Sequence, residues 1–154
     1  MKALVQRVAS ASATAAGRTV GEIATGYLVL LGVGHGDTSA TAQMMAAKVT
    51  GLRLFEDSAG KMNLALADVS GSVLCVSQFT LYGDVRRGRR PSFAAAAPPV
   101  EARELYDAFC EAVEAAGLRC ARGAFGEHMR VELVNDGPVT IVVDSADLER
   151  ARHA

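Results

Sequence analysis

Ser77-Gln78-Phe79-Thr80 sets two hydroxyls and an amide within four residues, where the apolar stretch Ser72 to Ser77 runs into polar sequence. At the end of a buried strand, backbone N–H groups lose their ladder partners and can point at a ligand, a geometry suited to an oxyanion. A plain strand end with hydroxyl-to-backbone bonds is the other reading of the same residues. Arg86, Arg87, Arg89 and Arg90 put four guanidinium groups into five residues, and planar guanidinium bonds phosphate oxygens bidentately. In a chain with 13 Arg against 3 Lys, a solvated loop is the alternative. Asn135-Asp136-Gly137-Pro138 reads as a hairpin turn; the second reading is a cis Gly-Pro bond that presses bare main chain against a ligand.

Other chemistries find no support in the spacing. His35, His128 and His153 form no HxxxH, HxH or His/Cys pattern, so no metal is expected. Gly32-Val33-Gly34-His35-Gly36 lacks the third glycine of a dinucleotide loop, no phosphate-loop lysine follows, and a GxSxG elbow is absent. No cofactor is expected. Cys75, Cys110 and Cys120 are odd in number and without CxxC spacing, which argues against a disulfide framework and for a reducing compartment. The 16 Lys+Arg and 17 Asp+Glu leave a formal charge of -1, so any contact with a polyanion must be local. Met1-Lys2-Ala3-Leu4 leads into no secretory h-region, and the longest apolar run, Tyr27 to Val33, is too short for a membrane helix. A cytoplasmic protein with no membrane partner is expected.

The elements that must hold these residues follow from periodicity. Leu4, Gln6 and Val8 alternate with Val5 and Arg7; a Gly17-Arg18 turn, Val20 to Ile23 and Tyr27 to Val33 complete three or four opening strands. The last is apolar on both faces, as in a covered sheet. Thr38 or Ser39 caps a helix to about Val49, with Met44, Met45 and Val49 on one side. Leu52 to Phe55 is extended and precedes the turn at Glu56 to Gly60. Gly83 to Pro99 is a loop too long for a simple connection. Leu105, Phe109, Val113 and Ala116 mark a second helix from about Val100 to Ala116, stopped by Gly117. Met129, Val131 and Leu133 resume alternation, and Val139 to Val143 follows the predicted turn. With 154 residues, half of them hydrophobic, the chain reads as one α+β domain: mostly antiparallel β layers, or a β-barrel, flanked by two main helices.

Taken together, Ser77 to Asp84, Arg87-Gly88-Arg89-Arg90-Pro91-Ser92-Phe93 and Asn135 to Thr140 resemble the D-aminoacyl-tRNA deacylases. Gln6-Arg7-Val8, Leu30 to Val33, Phe55-Glu56-Asp57 and Lys61-Met62-Asn63-Leu64 extend the resemblance nearly end to end; Gly83 departs from the small residue common there. The resemblance implies the family's fold and a homodimer with sites at the subunit interface. Ser77, Gln78 and the backbone at Phe79 and Thr80 of one chain would hold the ester, facing a cis Gly137-Pro138 from the other. It also implies Phe125 and Met129 beside the terminal adenosine. Arg87, Arg89 and Arg90 would contact tRNA phosphates. The partner would be the 3′ end of an aminoacylated tRNA, not DNA, and the role chirality proofreading in translation.

L and D residues held by the same ammonium and ester differ only in which direction from Cα carries the side chain. A main-chain wall can therefore bar every L side chain and leave D side chains unread. Glycine, with no side chain, escapes such a wall, so glycyl-tRNA should also be cleaved. Two hydrolytic routes stay open: Thr80 as covalent nucleophile, or a backbone oxyanion site with the ribose 2′-hydroxyl assisting water. The second is preferred because an unactivated threonine needs an adjacent base. The rivals are a non-catalytic RNA-binding module using Arg86 to Arg90 with Phe79, Phe93 or Phe125, and a serine esterase pairing Ser77 with His128.

Overall fold

The computed structural model describes residues 1–152; His153 lies outside the described residues. β1 (Lys2–Ala15) leads through Ala16 and Gly17, both at positive φ, into β2 (Arg18–Ile23) and β3 (Gly26–Gly32). α1 (Ser39–Thr50) and the small hairpin of β4 (Phe55–Glu56) and β5 (Met62–Leu64) follow. β6 (Ser72–Ser77), α2 (Pro99–Ala115), β7 (Cys120–Arg122), β8 (Met129–Asp144) and α3 (Ser145–Arg152) complete the chain.

The sheet is mixed. β1 pairs antiparallel with β2 and β3 along one edge and with β8 along the other, whereas β6 runs parallel to both β3 and β7. β2 folds over so closely that a Cβ on Gly21 would stand 2.6 Å from the Arg122 carbonyl oxygen, which nearly closes the sheet on itself. This is the expected α+β architecture, with a third, C-terminal helix in the tail.

Strand alternation divides the core. Ala3, Val5, Tyr27, Val29, Leu31, Val33, Val73 and Cys75 face α1 and α2, while Val8, Ala11, Ala13, Ile23, Leu28, Leu74 and Val76 fill the inside of the curled sheet. This explains why β3 and β6 read as apolar at successive positions: each face has its own core. A fully buried Leu or Val on either face contributes about 1.5–3 kcal/mol. α1 starts at a capping box in which the Thr38 hydroxyl accepts from the Thr41 N–H at 3.2 Å and the Thr41 hydroxyl accepts from the Thr38 N–H at 3.2 Å. Its buried face is Thr41, Ala42, Met45, Ala46 and Val49; Met44 lies off it, only half-buried. α2 buries Leu105, Tyr106, Phe109, Cys110 and Val113, and Ala116 is an exposed cap before Gly117, φ 83°. The three cysteines are free, and burial pushes the Cys75 thiol well above its ordinary range.

One expectation fails here. Asn135-Asp136-Gly137-Pro138 is not a hairpin turn, because the chain keeps its direction and both halves of β8 pair antiparallel with β1. Asn135 lies opposite Val8 and Thr140 opposite Gln6, so four residues stand across from Arg7 alone; Asp136, Gly137 and Pro138 bulge outward while the Val139 side chain stays in the core. Turn-forming residue types were present, but they shape a bulge in a strand long enough to reach past it.

Candidate active site

Ser77 ends β6, and the next N–H, of Gln78, still donates to the Leu31 carbonyl at 2.8 Å. The ladder stops there and Phe79–Tyr82 winds into a single 3-10 turn, closed by Leu81 N–H to Gln78 O at 3.2 Å and Gly83 N–H to Thr80 O at 2.9 Å. The Phe79 and Thr80 N–H groups begin that turn, ahead of any carbonyl the helix itself can offer. Neither donates to a protein acceptor among the described residues. Gln78 Nε2 donates to Thr80 Oγ1. Thr80 is therefore already bonded through its hydroxyl oxygen, and its side chain does not line the adjoining cleft.

That cleft has a volume of about 640 Å³ and joins Ser77, Gln78 and Phe79 to Phe125 and Met129 across a largely apolar floor. Phe79 is 54% exposed and meets Phe93 edge-on, with ring centroids 5.0 Å apart. Phe125 leans on Tyr106 at 5.7 Å, and the Tyr106 hydroxyl donates to the Cys75 carbonyl at 2.8 Å, tying this wall to β6. Burial first, then the neighbouring thiols, pushes the Tyr106 phenol up, so it stays a donor. Glu127 and His128, outside the motifs of the ester-holding edge, also line the cleft. No hydrogen bond joins Ser77 to His128 among the described residues, which leaves the serine-esterase arrangement without its first link. A wider concavity of about 750 Å³, around Ser10, Ser12, Glu22 and Arg119, has no aromatic wall and none of the predicted residues.

The bulge lies elsewhere. The Gly137-Pro138 bond is cis, with Gly137 at φ 130°, and both residues are exposed and absent from the cleft. The base of the bulge is clamped from behind. Arg7, 6% exposed, donates from Nε to the Asp136 carbonyl at 2.9 Å and from Nη1 to the Leu54 carbonyl at 2.6 Å, with the Asp136 carboxylate 3.8 Å from Nε. Asn135 Nδ2 donates to the Arg7 and Val139 carbonyls at 2.9 and 3.1 Å. These two anchors were missed in the sequence, although an arginine alternating with Ala3 and Val5 on a buried strand face was the available signal.

The arginine loop is pinned at its neck by reciprocal Asp84–Ser92 backbone bonds of 2.8 and 2.9 Å. Arg86 is occupied, since its Nε and Nη2 reach the Asp84 carboxylate at 2.9 and 2.6 Å and hold that carboxyl down at about 2. Arg87, Arg89 and Arg90 are exposed and form no ion pair among the described residues. No helix is long and apolar enough to cross a membrane among the described residues.

Comparison with known proteins matches this geometry to a family. A family model described as D-Tyr-tRNA(Tyr) deacylase covers residues 4–144. A D-aminoacyl-tRNA deacylase from Thermomicrobium roseum is 60% identical over 148 residues, 96% of either chain. A solved structure described as a c-Myc DNA unwinding element binding protein matches with a TM-score of 0.87 at 40% identity, over 94% of this chain and 98% of that one. Another, described as a probable eukaryotic D-amino acid tRNA deacylase, has a TM-score of 0.80 at 18% identity, over 93% and 98%, and speaks for the fold alone.

Proposed function

From the premise that this chain belongs to the D-Tyr-tRNA(Tyr) deacylase family, hydrolases of D-aminoacyl-tRNA, we propose a cytoplasmic homodimer that proofreads chirality with sites shared between subunits. The observation that carries this reading is the separation of parts: the cleft holds Ser77, Gln78 and Phe79 but not Gly137-Pro138 of its own chain. A second copy supplies the missing wall. The β8 edge supports such pairing, since Val134, Ile141 and Val142 are exposed along a strand whose outer edge has no partner among the described residues.

In this arrangement the terminal adenosine packs on Phe125 and Met129, which leaves its 3′-ester at Ser77 and Gln78. Arg87, Arg89 and Arg90 take phosphates farther along the tRNA. Water attacks the ester carbonyl, the tetrahedral oxyanion accepts hydrogen bonds from the Phe79 and Thr80 N–H groups, and the ribose 2′-hydroxyl assists proton transfer. The hydrogen bond from Gln78 to Thr80 Oγ1 supports this route over a threonine nucleophile, because an oxygen accepting a hydrogen bond is a weaker nucleophile and no base adjoins it. The Gly137-Pro138 backbone of the partner excludes L side chains, passes D side chains to solvent and admits glycine.

Purified protein incubated with D-tyrosyl-tRNA, L-tyrosyl-tRNA and glycyl-tRNA tests this. Loss of the D and glycyl esters with the L ester intact is expected. Cleavage of D and L alike overturns the wall, and cleavage of none favours an RNA-binding module.

A further inference from the structure

Arg103 has no part in the chemistry described so far. It is exposed on the first turns of α2, yet it is not adrift: its Cζ lies 5.7 Å from the centroid of the Phe125 ring, over the ring face. Phe125 in turn leans on Tyr106, and Ala102, next to Arg103 in sequence, lines the cleft. Arg103 is thus held at the Phe125 rim by the residues that form it. It makes no ion pair among the described residues, whereas Arg86 and Arg122 are each spent on carboxylates. A guanidinium held over an aromatic ring by cation–π attraction still has N–H donors for another partner.

An anion should therefore be bound beside Phe125. Glu127 brings negative charge to the same cleft, so an incoming phosphate needs a cation there to offset it. We infer that Arg103 binds the 5′-phosphate of the tRNA's terminal nucleotide. This binding site is on a different element from the arginine loop, which adjoins the cleft through Phe93 and its edge-on contact with Phe79. The inference rests on the placement of the terminal adenosine against Phe125 and Met129. Stacking fixes the guanidinium in advance, so the contact costs less side-chain entropy than a free surface arginine would.

The test uses two non-hydrolysable ligands, 3′-(D-tyrosylamino)-3′-deoxyadenosine and its 5′-phosphate, with wild-type protein, Arg103→Ala and Arg103→Lys. The 5′-phosphate should tighten wild-type binding about five- to tenfold, Arg103→Ala should abolish that gain, and Arg103→Lys, which keeps the charge without the planar donors, should keep only part of it. For D-tyrosyl-tRNA, Arg103→Ala should raise KM by a similar factor, hold kcat within about twofold, and flatten the log–log salt slope by about 0.7, the value of one single-strand phosphate contact. Equal weakening of both ligands by Arg103→Ala would reduce Arg103 to a brace for Phe125 and overturn the inference. Equal affinity of the wild type for both ligands would overturn it too. Failure of the unphosphorylated ligand to bind wild type would instead sink the adenosine placement on which it rests.

Discussion

The strand end at Ser77 and the bulge at Gly137 are both interruptions of a β-ladder, but they are opposites in build. The first is concave: β6 stops, a 3-10 turn carries its free N–H groups to the edge of a cleft, and aromatic rings from three segments wall it. The second is convex: Asp136, Gly137 and Pro138 protrude from an unbroken strand, and a buried arginine holds their base from behind. A receptor needs a recess and a selector needs a stiff projection, and this chain makes each on a different part of its surface. In the proposed homodimer a second copy brings them together.

The sharpest way to break that comparison is to keep apart the two subunits of the proposed homodimer. Val134→Asp with Val142→Asp alters residues 56% and 71% exposed, so each chain should stay folded. Like charges facing each other across a twofold cost several kcal/mol. The expected result is a monomer by light scattering with deacylase activity down at least about a hundredfold; an active monomer would mean one chain contains the whole site.

Next comes the clamp. Arg7→Met removes a buried cation that serves two carbonyls, and the expected loss is about 3 kcal/mol in urea unfolding. It should be accompanied by hydrolysis of L-tyrosyl-tRNA, since the bulge can then give way. Unchanged D-over-L preference would show that the projection does not depend on this anchor.

Gly137→Ala acts on the projection itself. The new Cβ would lie 2.8 Å from Val139 Cγ2 and 3.0 Å from Arg7 Nη2, at a φ of 130° that alanine resists. A stability loss of about 1–3 kcal/mol and about a tenfold fall in discrimination are expected, with the D-ester rate less affected than the L-ester rate. On the concave side, Thr80→Ala should cost less than about tenfold in kcat, the value of a lost positioning bond; near-zero turnover with an acyl-Thr80 adduct in the wild type would restore the nucleophile.

The smallest effect lies between the two regions, in the arginine loop. Asp84→Asn releases Arg86, and the salt slope of tRNA binding should steepen by about 0.7 if the freed guanidinium finds a phosphate. Arg89→Ala and Arg90→Ala should weaken binding without altering chirality. Because the Asp84 carboxyl is held below its ordinary 3.8, at about 2, the Asp84–Arg86 contact is fully present above about pH 4 and is lost as pH falls toward 2. Loop proteolysis measured across that window should rise on the acid side.

Most elements were legible because periodicity reports burial directly. Leu105, Phe109 and Val113 marked α2, and the doubly apolar β3 and β6 announced a sheet covered on both faces. β7 was not legible, since three half-buried residues carry no period, and the bulge was misread because turn residues look alike whether a chain reverses or merely swells. Of the site, Ser77 to Thr80 and the arginine loop stood out as clusters of one chemistry. Met129 entered as a site residue only through resemblance, Phe125 through resemblance and as a stacking ring of the RNA-module rival, His128 only as the base of the serine-esterase rival, and Glu127 not at all, because cleft lining is set by packing between distant segments.

The sequence by itself determined several local features, since these depend on neighbours a few residues apart: where β6 ends, where α1 is capped, which loop is cationic. Tertiary structure alone decided that Arg7 reaches across 129 residues to hold Asp136, that Arg103 lies over Phe125, and that the bulge stays out of the lining of its own chain's cleft. Those outcomes follow from which strands pair and in what register, and a register is chosen by the energy of the whole core, not by any short stretch of chain.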